Sequence, residues 1–378
     1  MGISLWIPSW TAAQELPLQE VVKVDYPGNS LGLDEQLWSN LRQPGDRLAL
    51  VQAINYSLRY LDTPSAAKAY DNYPVSGITR DRVRRSLIRF RDLLVNSRTP
   101  AEFQAAVEQE FAFYQAVGRD AQGTVLFTGY FEPIYPASLT PSDEYRYPLY
   151  RKPADFDRWA KPHPTRKELE GEDGLLGQQS PLAGYELVWL RDRLEAFLVQ
   201  VQGSAKLQLR DGKLLTVGFD GITDYPYVSI GRELVKDGKF TAEQLSLPVL
   251  IDYFRANPQE LDEYLPRNNR FVFFRETNGA PPKGSLGVPV TPERSIATDK
   301  SLMPPGALAW IRTRIPYANP AGEWEMRSVT RYVLDQDTGG AIKGAGRVDI
   351  FMGTGKVAGD RAGLISSPGE LYYLLLRD

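Results

Sequence analysis

Cysteine is absent from the 378 residues, and histidine occurs once, at His163. The first absence excludes disulfides, thiol catalysis, iron–sulfur clusters and Cys-ligated zinc. The second excludes a multi-histidine metal site and obliges any histidine-based triad to use His163. Nothing in this inventory calls for a metal or an organic cofactor. Long apolar runs are also missing: none approaches the ~18–20 residues of a membrane-spanning helix. The stretch Met1 to Thr11 lacks the basic start and apolar stretch of an intact signal peptide. Charge of one sign is lacking too. Lys+Arg is 44 against Asp+Glu 47, a net charge of −3, so there is no electrostatic case for nucleic-acid or anionic-membrane binding.

What is present describes a folded chain. Hydrophobic residues make up 42% and charged residues 24%, enough for a full core and too apolar for disorder. The length suits two or three domains. Glycine (32) and proline (28) are plentiful, which favours many turns and a β-rich protein over a helical bundle.

The first third reads as helical. Leu33 to Leu61 carries Leu37, Leu41, Leu48, Leu50, Val51, Ile54 and Leu58 at roughly helical spacing, broken at Pro44-Gly45. Thr79 to Ser97 is amphipathic, with an arginine-rich outer face. Thr99-Pro100 caps a further helix expected to run to about Val117. From Gly123 onward short β-like runs dominate. They are Thr124 to Glu132, Tyr145 to Tyr150, Tyr185 to Leu190, Ala196 to Gln202 and Leu214 to Gly218, then Phe271 to Phe274, Ala307 to Arg312, Arg327 to Leu334, Val348 to Phe351 and Leu371 to Leu376. Helices are expected at Thr241 to Ala256 and Gln259 to Tyr264. Few helices alternate with the later strands, so barrels or sandwiches are expected rather than a parallel α/β sheet.

Several short patterns carry little. Asp337-Thr338-Gly339 matches an aspartic-protease triplet, but that chemistry needs two such loops and only one exists. Ser65-Ala-Ala-Lys68 lacks the companion elements of penicillin-interacting enzymes and reads as a helix start after Pro64. Gly353 to Gly359 follows no βαβ pattern and reads as a loop. His163, between Pro162 and Pro164, reads as a loop residue. The dense region is Asp335 to Gly353. Asp337 and Asp349 flank a glycine-rich turn, and Asp349 interrupts an apolar strand. On a strand Val348 and Ile350 face one way and Asp349 the other, into a cleft or a barrel rim. A structural role for Asp349, paired with Arg347, Lys343 or Arg361, stays open at this point.

Long segments resemble the membrane-bound lytic murein transglycosylase A family. They are Phe127-Thr-Gly-Tyr-Phe-Glu-Pro133, Val199-Gln-Val-Gln-Gly-Ser-Ala205, Tyr227-Val-Ser-Ile-Gly-Arg-Glu-Leu234, Asn269-Arg-Phe-Val-Phe-Phe274 and Gly284 to Ser295. Asp337-Thr-Gly-Gly-Ala-Ile-Lys-Gly344 and Val348-Asp-Ile-Phe351 complete the set. The C-terminal part of the chain resembles the 3D module, named for three aspartates, here Asp299, Asp337 and Asp349. The resemblance implies a double-psi β-barrel domain built from residues 1–131 and 281–378, a smaller β-barrel inserted at 132–280, and a groove between them. It implies cleavage of the bond between N-acetylmuramic acid and N-acetylglucosamine in peptidoglycan glycan strands, leaving 1,6-anhydro ends, with Asp349 as the catalytic acid beside Asp337 and Asp299. Matched positions expected to line the groove are Thr128, Tyr130, Gln202, Ser204, Tyr227, Ser229 and Lys343, with Gly339 and Gly340 permitting close approach of the glycan. The implied location is the periplasm, with any outer-membrane anchor carried outside this chain. Two alternatives remain: a hydrolase using Asp349 and Asp337 as an acid–base pair, and a non-catalytic glycan-binding module on the same fold.

Overall fold

Tight turns and short β runs from both halves of the chain build two sheets. The computed structural model describes residues 16–21, 31–39 and 44–377; the expected helical residue Leu41 and the start Met1 to Thr11 lie outside them. The strands are β1 (Leu18–Val21), β2 (Phe111–Ala116), β3 (Val125–Glu132), β4 (Ile134–Ser138), β5 (Tyr147–Tyr150), β6 (Glu186–Leu190), β7 (Ser204–Leu209), β8 (Leu214–Ile222), β9 (Val272–Glu276), β10 (Ser295–Ala297), β11 (Leu308–Ala318), β12 (Trp324–Asp337), β13 (Arg347–Thr354) and β14 (Ser366–Leu376). The helices are α1 (Arg47–Leu61), α2 (Pro64–Tyr70), α3 (Arg80–Asn96), α4 (Pro100–Glu110), α5 (Arg166–Glu170), α6 (Arg193–Gln202), α7 (Ile230–Lys236), α8 (Leu247–Ala256), α9 (Leu261–Tyr264) and α10 (Lys356–Leu364).

The first sheet runs β1-β2-β14-β11-β12-β10-β13-β3, and a further pairing of β14 with β3 closes its last six strands into a ring. Two pairs, β10 with β12 and β13 with β3, are parallel; the rest are antiparallel. Closure removes the exposed edges that an open sheet would present. The second sheet runs β5-β6-β4-β7-β8-β9. A parallel bridge from Arg151 to Phe274 brings the end of β5 back to β9. The mainly β architecture with a closed barrel and a second sheet is the expected fold class.

The helical lead-in packs on the ring. Phe90 of α3 meets Tyr332 of β12 at 4.8 Å between ring centroids, edge to face. Arg294, fully buried, pairs with Asp34 and Asp46 at 2.5 Å each and donates to the Tyr332 carbonyl. A buried guanidinium needs such a full set of acceptors to offset its desolvation.

Five expected elements differ. The helix after Thr99 stops at Glu110, and Phe111–Ala116 is strand β2, because the run Phe-Ala-Phe-Tyr is buried by pairing with β1 and β14. Ala196 to Gln202 is helical. Asp192 caps α6 by accepting from the Leu194 N–H at 2.6 Å, and Gly203 ends it in the left-handed conformation. Leu33–Ser39 forms turns, so the first helix starts at Arg47. The helix expected from Thr241 begins only at Leu247, where Ser246 caps it and Pro248 follows. Gly353 to Gly359 is not wholly loop: its second half opens α10.

Candidate active site

Strand register assembles the site. Asp337 at the end of β12 pairs with Ala297 of β10, Ala297 pairs with Asp349 of β13, and Asp349 pairs with Thr128 of β3. One small residue thus separates the two acids laterally, two strand spacings or about 10 Å between their backbones. Alternation along β13 does the rest. Val348 and Ile350 are fully buried in the core, whereas Asp349 turns the other way and stays partly accessible.

The two carboxylates are held differently. Asp337 accepts three hydrogen bonds, each 2.8 Å long: from the Tyr130 hydroxyl, the Ser285 N–H and the Thr338 N–H. Tyr130 is steadied by the ring of Phe351 at 5.2 Å. Asp349 accepts one, from the Thr128 hydroxyl at 2.8 Å, and among the described residues nothing hydrogen-bonds its second oxygen. Burial pushes the Asp349 carboxyl up to about 6; Thr128 and Arg347 hold it down, and the neighbouring Asp337 adds to the rise. Burial also raises Asp337, opposed by its three donors and by Lys300.

Asp299 sits elsewhere. It accepts from the Ser301 N–H and hydroxyl and from the Gly344 N–H at 2.9 Å, pinning the loop between β12 and β13. Burial works to raise its carboxyl, but these donors and Lys343 leave it below its ordinary value. Lys343 is exposed on that same loop. Gly339 and Gly340 belong to it as well. A side chain at Gly340 would collide with the Arg270 guanidinium and come within 3.0 Å of Tyr227, so the loop meets the segment before α7 closely. Ser229, two residues after Tyr227, is the N-cap of α7 and accepts from the Arg232 N–H. Gln202, at the end of α6, accepts from the Phe131 N–H at 3.0 Å, tying α6 to the strand that carries Thr128 and Tyr130. Ser204 is a buried ladder residue of β7 paired with Gly218.

Of the three partners open to Asp349, none forms an ion pair with it: Arg347 acts on it only through space, and Arg361 binds Glu293 at 2.6 Å. Three site residues went unread in the sequence. Asp335 is wholly buried against Lys300, Thr298 and Tyr373. Lys300 also donates to the Asp337 carbonyl, and Ser285 donates to its carboxylate. An aspartate directly after the apolar run Tyr332 to Leu334 was the available signal for Asp335. Ser285 acts through its backbone, which leaves no such trace.

Comparison with known proteins agrees with this layout. The model of the MltA specific insert domain matches residues 126–275, and that of the 3D domain matches residues 294–375. Fold and site therefore define a 3D-domain protein with an MltA-type insert. The membrane-bound lytic murein transglycosylase A of Vibrio cholerae is 35% identical over 266 residues, 70% of this chain and 69% of its own. The crystal structure of Escherichia coli MltA with bound chitohexaose superposes with a TM-score of 0.71 at 25% identity, covering 96% of this chain and 95% of that one. A membrane-bound lytic murein transglycosylase from Agrobacterium tumefaciens gives 0.68 at 26% identity, covering 86% and 92%. The chain belongs to the membrane-bound lytic murein transglycosylase A family.

Proposed function

We propose that this protein is a peptidoglycan lytic transglycosylase that cleaves between N-acetylmuramic acid and N-acetylglucosamine, with Asp349 as the single acid and then base. The observation that carries the reading is the asymmetry of the two carboxyls. Asp337 is saturated with donors, whereas Asp349 has one donor, an uncommitted oxygen and a carboxyl at about 6. A general acid needs a proton near working pH and an atom free to deliver it.

Protonated Asp349 gives its proton to the bridging oxygen, and the bond from that oxygen to the muramic anomeric carbon breaks. The leaving sugar departs with a new hydroxyl, and positive charge develops at the anomeric carbon. The Asp349 carboxylate then removes the proton of that same sugar's 6-hydroxyl, whose oxygen closes onto the anomeric carbon. The product is a 1,6-anhydro end, and no water enters. An intramolecular nucleophile avoids the entropy of recruiting water. The Thr128 hydroxyl stabilises the carboxylate form and so eases the change from acid to base. Asp337, fixed by its donors, supplies a negative field to the developing cation. In this reading residues 1–131 and 281–378 form the wall that carries the acids. Residues 132–280 form the facing wall, with Gln202, Ser204, Tyr227 and Ser229 toward the glycan; Thr128, Tyr130, Lys343, Gly339 and Gly340 lie toward it from the acidic side. Chitohexaose bound to the Escherichia coli relative supports a saccharide ligand. The family's membrane-bound members support an envelope location on the periplasmic side; among the described residues no helix is long and apolar enough to cross a membrane.

The test is mass spectrometry of purified peptidoglycan digested by the protein. Anhydromuropeptides, lost in Asp349→Ala, are expected. Reducing-end products would replace this reading with a hydrolase, and binding without any product would replace it with a glycan-binding module.

A further inference from the structure

Arg347, two residues before Asp349, belongs to a group of arginines that form no ion pair among the described residues. Several arginines elsewhere are paired, Arg166 and Arg193 with Glu170, Arg267 with Glu233, Asp237 and Glu263, Arg294 with Asp34 and Asp46, while others on the surface are not. Among the described residues Arg119, Arg232, Arg270 and Arg347 form no ion pair within 4 Å, although the whole chain is net negative.

Geometry gathers these four. Arg347 opens β13, two residues before Asp349. Arg119 is packed against the preceding residue: a side chain at Gly346 would strike the Arg119 backbone and lie 2.7 Å from its Cβ. Arg270 donates its Nε–H to the Tyr225 carbonyl at 2.8 Å, and its outer nitrogens press on Gly340. Arg232 is exposed in the first turn of α7, three residues after its N-cap Ser229. Its charge and that of Arg119 act on Arg347, whose guanidinium is held below its ordinary value first by burial, with Asp349 opposing. Two of the four come from the barrel side and two from the insert side. Like charges gathered without counter-charges raise the free energy of the empty site, which an incoming anion relieves.

N-acetylated sugars are neutral and have no use for such a field. On a murein strand the negative groups are carboxylates on the muramic side. They are those of the peptide stem, or that of the lactyl ether where the stem has been removed. We propose that Arg119, Arg232, Arg270 and Arg347 form a carboxylate-binding site beside the cleavage point that selects muramic-acid strands over neutral N-acetylglucosamine oligomers. The proposal rests on the transglycosylase reading for its ligand class and extends it to specificity. Arginine suits the task because its planar fork matches a carboxylate.

The test measures affinity in the full-length Asp349→Asn protein, which prevents turnover, with and without Arg119→Gln and Arg232→Gln. Three ligands are compared: peptide-bearing murein strands, amidase-stripped strands that keep only lactyl carboxylates, and neutral chitohexaose. The double substitution is expected to lower the ratio of murein to chitohexaose affinity roughly tenfold and to flatten its dependence on salt. Arg119→Lys with Arg232→Lys, which keeps the charge, should recover most of the ratio. A loss confined to peptide-bearing strands assigns the site to the stem; a loss shared by stripped strands assigns it to the lactyl group. An unchanged ratio, or equal weakening of all three ligands, overturns the proposal. A wild-type digest without cleavage products would overturn the transglycosylase reading alone, since the affinity ratio is read without turnover.

Discussion

Replacing Asp349 by asparagine should abolish turnover and, at neutral pH, make the protein more stable. The carboxyl is raised from its ordinary 3.8 to about 6, chiefly by burial. An acid whose folded-state value lies above its unfolded value favours the folded state fully only below about 3.8. That contribution is lost as pH climbs toward 6, and above 6 the protein carries the full cost of a charged, desolvated carboxylate. A rise of about two units corresponds to at most about 3 kcal/mol. Asp349 retains an accessible edge, and screening there brings the expected gain to about 1–2 kcal/mol. Asparagine keeps an oxygen to accept from Thr128 and carries no charge to desolvate. Urea unfolding at several pH values should show the two proteins nearly equal near pH 4, a gap opening between 4 and 6, and a constant gap above. A variant less stable at every pH, or a gap that narrows as pH rises, would refute the account of Asp349 as a desolvated acid.

The remaining expectations concern its neighbours. Thr128→Val removes the one donor to the Asp349 carboxylate, so the acid should hold its proton to higher pH. The alkaline limb of the pH–rate profile, expected near 6 in the wild type, should move up by about one unit. Tyr130→Phe removes one of three donors to Asp337 while keeping the ring on Phe351. It should lower kcat about tenfold with little change in stability, read from initial rates and a melting curve. Arg294→Met leaves Asp34 facing the core without its cation and Asp46 without its partner. It should cost about 3–5 kcal/mol in urea unfolding, whereas a loss under 1 kcal/mol would show that this buried cluster is not what fastens the lead-in to the barrel.

Legibility in the sequence followed the physics of each segment. Strand β13 was readable because Val348 and Ile350 alternate with Asp349, and the structure buries the first two and turns the third outward. Helix α3 was readable from its amphipathic period, and the start of α4 from Thr99-Pro100, which caps it. Helix α6 was not, because Leu194 and Ala196 to Gln200 are all buried, and a helix covered on every side shows no amphipathic period. Strand β2 was missed because its state is decided by β14, more than 250 residues away, rather than by the local pattern. Closure of the ring by β3 against β14 is equally invisible locally. In the site, acids in apolar strands announced themselves by their cost. Backbone donors such as those of Ser285 and Gly344 did not, since any residue type can supply an N–H.

The roles of the two neighbouring acids depend on this backbone contribution. Asp337 and Asp349 are the same residue type, on strands separated only by β10, and burial raises both. What separates them is the number of donors each can reach. Asp337 ends its strand, where the chain turns, and the turn offers it the N–H of Thr338 and the adjacent N–H of Ser285. Asp349 lies within its strand, where the backbone donors are committed to the ladder with β3 and β10, and receives only a side-chain hydroxyl. Strand position thus fixes one carboxylate as a stationary charge and leaves the other able to hold and release a proton. Moving a donor should move the role. A backbone change that withdraws the Ser285 N–H, such as Ser285→Pro, should loosen Asp337, raise its carboxyl further and weaken its field on Asp349. The Asp349 carboxyl should then titrate lower, and the alkaline limb of the rate profile should fall, opposite in direction to Thr128→Val.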